Sequence, residues 1–151
     1  MAKPEHSKPH SEEEKFQRMY MEYNMYKNQM QGLSEEMSTI AATNHALITA
    51  RETLENFDKL KENPEILVPI GAQSFAYAKV SDLKNVLVNV GANTLVKKDV
   101  PKALESISKQ LAELEDARGK VEASMKEIAG RMEEIEPQLE AFAQKMRPQE
   151  K

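Results

Sequence analysis

Over two long stretches of this chain the apolar residues recur at alternating steps of three and four, and in the segment between them at steps of two. In the first stretch they fall at Phe16, Met19, Tyr23, Tyr26, Met30, Leu33, Met37 and Ile40, followed by Asn44, Leu47, Arg51 and Leu54. That spacing predicts a coiled-coil seam, clean in its first half and interrupted by polar residues later. The second stretch keeps the rhythm more strictly, through Val100, Leu104, Ile107, Leu111, Leu114, Arg118, Val121, Met125, Ile128, Met132, Ile135, Leu139, Phe142 and Met146. Only Arg118 breaks it, and a seam held for about seven heptads predicts a left-handed supercoil. Ser11 with Glu14 is a capping-box start for the first helix, and Asn63-Pro64 is expected to end it. Asp99 is the expected N-cap of the second helix, with Pro101 tolerated in its first turn. Pro137 should kink or locally open that helix, while Gly119 and Gly130 weaken it by about 1 kcal/mol each relative to Ala.

The middle, Ile66 to Lys98, holds an internal repeat: Leu67-Val68-Pro69-Ile70-Gly71-Ala72-Gln73-Ser74 returns as Leu87-Val88-Asn89-Val90-Gly91-Ala92-Asn93-Thr94. Period-2 alternation places Val68 and Ile70, or Val88 and Val90, on one strand face that needs an apolar cover. Two arrangements fit. Either each Gly-Ala is a turn between paired strands, or Ser81 to Asn85 is the one tight turn and the Gly-Ala sites are kinks in a single long hairpin. In both, so small a β patch lacks the chain around it to make its own core. It is therefore expected to be an assembly surface, carried by Leu67, Val68, Ile70, Phe75, Tyr77, Val86, Val88, Val90 and Leu95.

The resulting organisation is mainly α, a long antiparallel coiled-coil hairpin with a four-stranded, two-hairpin β insertion. Its expected parts are a disordered tail over 1–10, an N-terminal helix over 11–63, the β region over 64–98, a C-terminal helix over 99–147 and a tail over 148–151. Folding back through the insertion brings Phe16 opposite the region of Phe142 and Met146, and Asn44 level with Arg118, where a shared polar layer would fix register.

The 151 residues are 30% charged and 5% aromatic with no Trp, which suits long helices and not a compact globular core. The net charge is −4, and neither arm has a sustained basic face, so nucleic acid and anionic membranes are not the expected partners. With no Cys there is no disulfide framework and no Cys-ligated metal. Met1 to His10 lacks the apolar core of a signal peptide, and no apolar run approaches the roughly 20 residues that cross a bilayer. A soluble, cytoplasmic protein is expected. His6, His10 and His45 are expected at the surface, no phosphate-binding loop is present, and no nucleophile, base and orienting group can be assembled, so neither enzymatic activity nor a cofactor or metal is expected.

An apolar excess does stand out near the free ends of the arms. Seam packing accounts for Met19, Tyr23, Met132 and Ile135, but not for Tyr20, Met21 and Met25, which lie off the seam. Unbranched Met side chains repack around dissimilar partners. Phe16, Met19, Tyr20, Met21, Tyr23, Met25, Leu139, Phe142 and Met146 are the candidates for binding other polypeptides.

A helix, then Ile66-Leu67-Val68-Pro69-Ile70-Gly71-Ala72-Gln73-Ser74-Phe75, then Val88-Asn89-Val90-Gly91-Ala92, then Val96-Lys97-Lys98 and a second helix resembles the α class of prefoldin subunits, the archaeal type in particular. The similarity runs from about Phe16 to Met146. The resemblance implies a hetero-hexamer of two α and four β subunits joined through β-barrels into a platform, with coiled-coil tentacles that hold unfolded polypeptide at their tips. It further implies delivery of clients to a group II chaperonin without ATP. Gln73, where the family commonly has Gly, and the Pro-containing N-terminal extension depart from the pattern; Gln73 is expected to alter turn geometry. The alternative is a structural coiled-coil oligomer, a tether docking one specific folded partner.

Overall fold

The computed structural model describes residues 12–146, so the two tails, Ser11 with its cap, His6, His10 and the side chain of Met146 lie outside the described residues. In chain order come α1 (Glu12–Glu55), a 3-10 turn (Phe57–Lys59), β1 (Glu65–Gly71), β2 (Ser74–Lys79), β3 (Asn85–Asn89), β4 (Leu95–Asp99) and α2 (Val100–Met146). The expected mainly helical architecture, two long helices around a two-hairpin insertion, is the one observed. The chain divides into two compact units, a terminal one (Met1–Thr39 with Arg118–Lys151) and a central one (Ile40–Ala117).

In the terminal unit the seam pattern becomes the packing. Phe16, Met19, Tyr23, Tyr26, Met30, Leu33 and Met37 of α1 are half-buried, as are Met125, Ile128, Met132, Leu139 and Phe142 of α2, with Val121 and Ile135 buried outright. The two helices run antiparallel here. The Phe16 and Phe142 ring centroids are 6.1 Å apart, and the Tyr23 hydroxyl donates to Glu136 Oε1 at 3.4 Å. Arg118, the break in the second seam, stays exposed with its Nε 3.7 Å from Glu122 Oε1. α2 passes through Pro137 without ending. Proline has no N–H for the Glu133 carbonyl one turn back, and the neighbouring Gln138 donates its side-chain Nε2 to the Glu134 carbonyl at 2.9 Å.

In the central unit Ile40, Ala103 and Ile107 are buried, flanked by half-buried Leu47, Ile48, Ala50, Leu54, Leu104, Leu111 and Leu114. Here α1 stops at Glu55, short of Asn63-Pro64. In its last turns and just past its end, Thr49, Thr53 and Asn56 donate to the carbonyls of His45, Thr49 and Glu52 at 3.0, 2.8 and 2.7 Å. Such back-bonding residues are poor helix formers. After the 3-10 turn Leu60 is extended, and Asn63 takes the left-handed conformation (φ 53) that steers the chain through Pro64 into β1. Asp99 caps α2 as expected, its Oδ1 accepting the Lys102 N–H at 2.8 Å.

A Cβ built at Gly119 or Gly130 meets nothing within 4 Å. Gly119→Ala and Gly130→Ala should therefore each stabilise the protein by about 1 kcal/mol in chemical denaturation; a loss of stability in either would show that the helix needs glycine there.

Candidate functional site

The two repeat copies form two separate two-stranded sheets, β1 with β2 and β3 with β4. This decides the open alternative in favour of Gly-Ala as turns. Ala72 and Gln73 (φ 48 and 58) and Ala92 and Asn93 (φ 46 and 57) are the central pairs, both residues left-handed in each, the signature of a type I′ turn. Gly71 and Gly91 precede them at φ 103 and 107, beyond the range side chains tolerate. In the second copy Thr94 N–H donates to the Gly91 carbonyl at 2.9 Å, and Asn89 Oδ1 accepts the Gly91 N–H at 2.9 Å. Ser81 to Asn85 connects the two hairpins. There Asp82 Oδ1 accepts the backbone N–H of Lys84 and Asn85 at 2.9 and 3.0 Å, and Oδ2 accepts Asn85 Nδ2 at 3.0 Å. The Asn85 side-chain amide and then the Lys84 N–H hold the Asp82 carboxyl below its ordinary range; the Lys102 N–H does the same to Asp99.

Register settles which side chains share a face. Leu67 faces Tyr77 and Pro69 faces Phe75, so Leu67, Phe75 and Tyr77 lie together, 58%, 60% and 78% exposed. Ile66, Val68 and Ile70 occupy the opposite face of the same ribbon, also exposed. In the second hairpin Leu87 and Leu95 are outward and exposed, as is Val90 beyond the end of β3, whereas Val86 and Val88 are half-buried. These two valines line a groove of about 410 Å³ with Leu47, Ala50, Leu54, Ala103 and Ile107. The nine residues expected at an assembly surface are thus spread over both faces of the ribbons. Ile66, Leu87 and Val96, exposed alongside them, were not among the nine. The signal for them was present, since a period-2 strand with apolar residues at both parities has two apolar faces.

The second exposed surface is in the terminal unit. Phe16, Met19, Tyr23, Leu139 and Phe142 are half-buried in the seam, with Lys145 Nζ 5.8 Å from the Phe142 ring centroid. Tyr20, Met21 and Met25 turn away from it and remain 54%, 63% and 48% exposed around a shallow depression lined also by Asn24, Asn28 and Gln29. The Phe16 and Tyr20 rings stack at 6.1 Å, joining seam to outer face.

Residues 26–145 match the family model described as Prefoldin subunit. The chain belongs to the prefoldin family. Its relatives include prefoldin subunit alpha of Pyrococcus horikoshii, 32% identical over 85% of this chain and 88% of that protein. Prefoldin subunit alpha of Methanococcus aeolicus is 30% identical over 90% and 92%. Among solved structures, a chain of filamentous PFD from Methanocaldococcus jannaschii superposes with a TM-score of 0.65 at 27% identity, over 75% of this chain and 93% of that one. The prefoldin beta subunit from Thermococcus strain KS-1 shares the fold, with a TM-score of 0.52 at 16% identity over 85% and 91%. Membership supports a chaperone co-factor role within a prefoldin oligomer. No helix among the described residues of this prefoldin subunit is long and apolar enough to cross a membrane.

Gln73 at positive φ carries a steric cost that glycine avoids, so Gln73→Gly should slow amide exchange in the first hairpin, by a net of about 0.5–1 kcal/mol. Faster exchange would contradict the turn assignment. The depressed pKa values of Asp82 and Asp99 have a definite sign: their contribution is complete above the ordinary Asp value of about 4 and is lost as pH falls through the lower folded values. Protection at the second hairpin and the start of α2 should decline below about pH 4. Asp99→Asn, which keeps the cap without the charge, should flatten that decline at α2.

Proposed function

We propose that this subunit captures non-native polypeptides at its coiled-coil tips, prevents their aggregation and passes them to a group II chaperonin without ATP. It acts in the cytoplasm, in a hexamer of two alpha and four beta subunits. The observation that carries the capture reading is the exposure of Tyr20, Met21 and Met25 on a helix whose seam is already filled. Seam packing gives no reason for apolar groups there, and each is worth about 1–3 kcal/mol to whatever covers it, before ordering costs. Phe16, Met19, Tyr23, Leu139, Phe142 and Met146 complete the client surface when the helix ends open. Single contacts of this strength hold a client only when several subunits engage it together, which requires assembly.

Assembly falls to the hairpins. A two-stranded ribbon with Leu67, Phe75 and Tyr77 on one face and Ile66, Val68 and Ile70 on the other is marginal alone in water and gains by pairing its edges and covering its faces with other subunits. Val86, Val88, Val90 and Leu95 contribute from the second hairpin, through a β-barrel platform. Handover without nucleotide follows from competition, since a multivalent hold made of weak contacts is released one contact at a time to a partner that covers the same client.

Replacing Tyr20, Met21 and Met25 with Ser should leave the assembled hexamer intact by light scattering and raise the amount needed to suppress aggregation of several unrelated denatured proteins by about tenfold. Unchanged suppression would remove the outer face from the client surface, and protection of a single protein only would favour a tether. Leu67→Ser with Tyr77→Ser should instead shift the complex to smaller species in size-exclusion chromatography with light scattering.

A further inference from the structure

We infer that the outward face of α1 between Glu13 and Glu36 is a charge-selective docking surface for extended, uncharged segments of non-native polypeptide that carry basic residues at both ends. This rests on the capture reading above and specifies its substrate class. From Met19 to Ser34 the only charged residues are Glu22 and Lys27. They lie on opposite flanks of the exposed face and offset each other, and Glu22 Oε1 already accepts the Tyr26 hydroxyl at 3.1 Å. Between them the face is thioether, phenol and amide: Tyr20, Met21, Asn24, Met25, Asn28 and Gln29 around one depression. Exposed amides of Asn28 and Gln29 pair with any peptide backbone, and Met adapts to any apolar side chain, so the floor tolerates varied sequence.

The ends of this face are acidic. On the outward face Glu13 and Glu14 outnumber Arg18 at one end, since Lys15 projects about 100° round the helix from Glu14 toward the seam, and the exposed pair Glu35 and Glu36 closes the other, with Glu35 Oε1 also accepting Gln31 Nε2 at 3.3 Å. Acids in a first turn favour the helix whatever the protein does, through the macrodipole. Glu35 and Glu36, in mid-helix, gain nothing from that effect. At 1.5 Å per residue, Glu14 to Glu35 spans about 31 Å, a distance that an extended chain covers in about nine residues. The complementary ligand is therefore an uncharged apolar stretch of about seven residues with Lys or Arg on each side. Rim charges of this kind alter selectivity more than total affinity.

The test uses the assembled oligomer and three fluorescent peptides with one apolar core, flanked by Lys, Ser or Glu, read by anisotropy. The Lys-flanked peptide should bind about tenfold tighter than the Glu-flanked one at low salt, and the gap should close at about 0.5 M salt. Glu13→Gln, Glu14→Gln, Glu35→Gln and Glu36→Gln combined in this subunit should abolish the preference while retaining the Ser-flanked peptide. Equal binding of all three peptides, or a preference that survives the four substitutions, overturns the charge selection and leaves capture standing. Binding of none overturns capture itself. A concentration-dependent doubling of the assembly mass that Met21→Ser abolishes would assign the face to a second copy and overturn the proposal as well.

Discussion

Everything in this molecule follows from how little of each helix can be hidden. A helix paired with one other helix buries a single stripe, and among the described residues only Ile40, Ala103, Ile107, Val121 and Ile135 are buried, each in that stripe. Among these described residues no large side chain is fully enclosed. Stability then depends on repetition along the seam, and any apolar residue placed off it is left to solvent. This makes the exposure of Tyr20, Met21 and Met25 informative, where in a globular protein three exposed apolar residues would call for no comment. It also explains how Arg118 is tolerated, since a stripe is narrow enough for a long side chain to leave it and meet Glu122 at the surface.

The β insertion meets the same constraint differently. Its turns place Ala72, Gln73, Ala92 and Asn93 in left-handed backbone, a cost that the two repeat copies share. What the turns achieve is a ribbon tight enough to display alternate residues on two faces. In the second hairpin the inward face is half-covered by α1 and α2 of the same unit through Val86 and Val88, while Leu87 and Leu95 remain largely exposed. A prefoldin subunit is incomplete by construction, with its self-satisfied surface in the seam and its unsatisfied surface on the ribbons.

The proposed capture without a nucleotide cycle leaves a chaperone co-factor only the strength and number of its contacts to regulate holding and release. Weak, adaptable groups on a narrow support suit that task better than a preformed pocket. In the proposed docking, acidic residues at the ends of the outer stripe would add discrimination at small energetic cost, because exposed charges are screened and contribute mainly through differences between clients.

The 3-4 spacing identified both helices and most of their seam residues, though not Ala103, because a helix that buries one stripe must write that stripe into its residues at 3.6 per turn; the fold-back through the insertion then placed Phe16 opposite Phe142. The Asp99 cap was equally legible, being a local hydrogen bond between neighbours in sequence. The end of α1 was not: Asn63-Pro64 is the stronger breaker in the sequence, but the helix gives way after Glu55 to a 3-10 turn over Phe57–Lys59. Nor could the repeat by itself decide between turn and kink at Gly71 and Gly91, since glycine serves either. Strand pairing decided it, and with it the two-sidedness of the ribbons that exposes Leu87 and half-covers Val88. Local periodicity is a property of the chain, whereas which face of a strand is covered depends on what lies across from it, and only the folded arrangement supplies that neighbour.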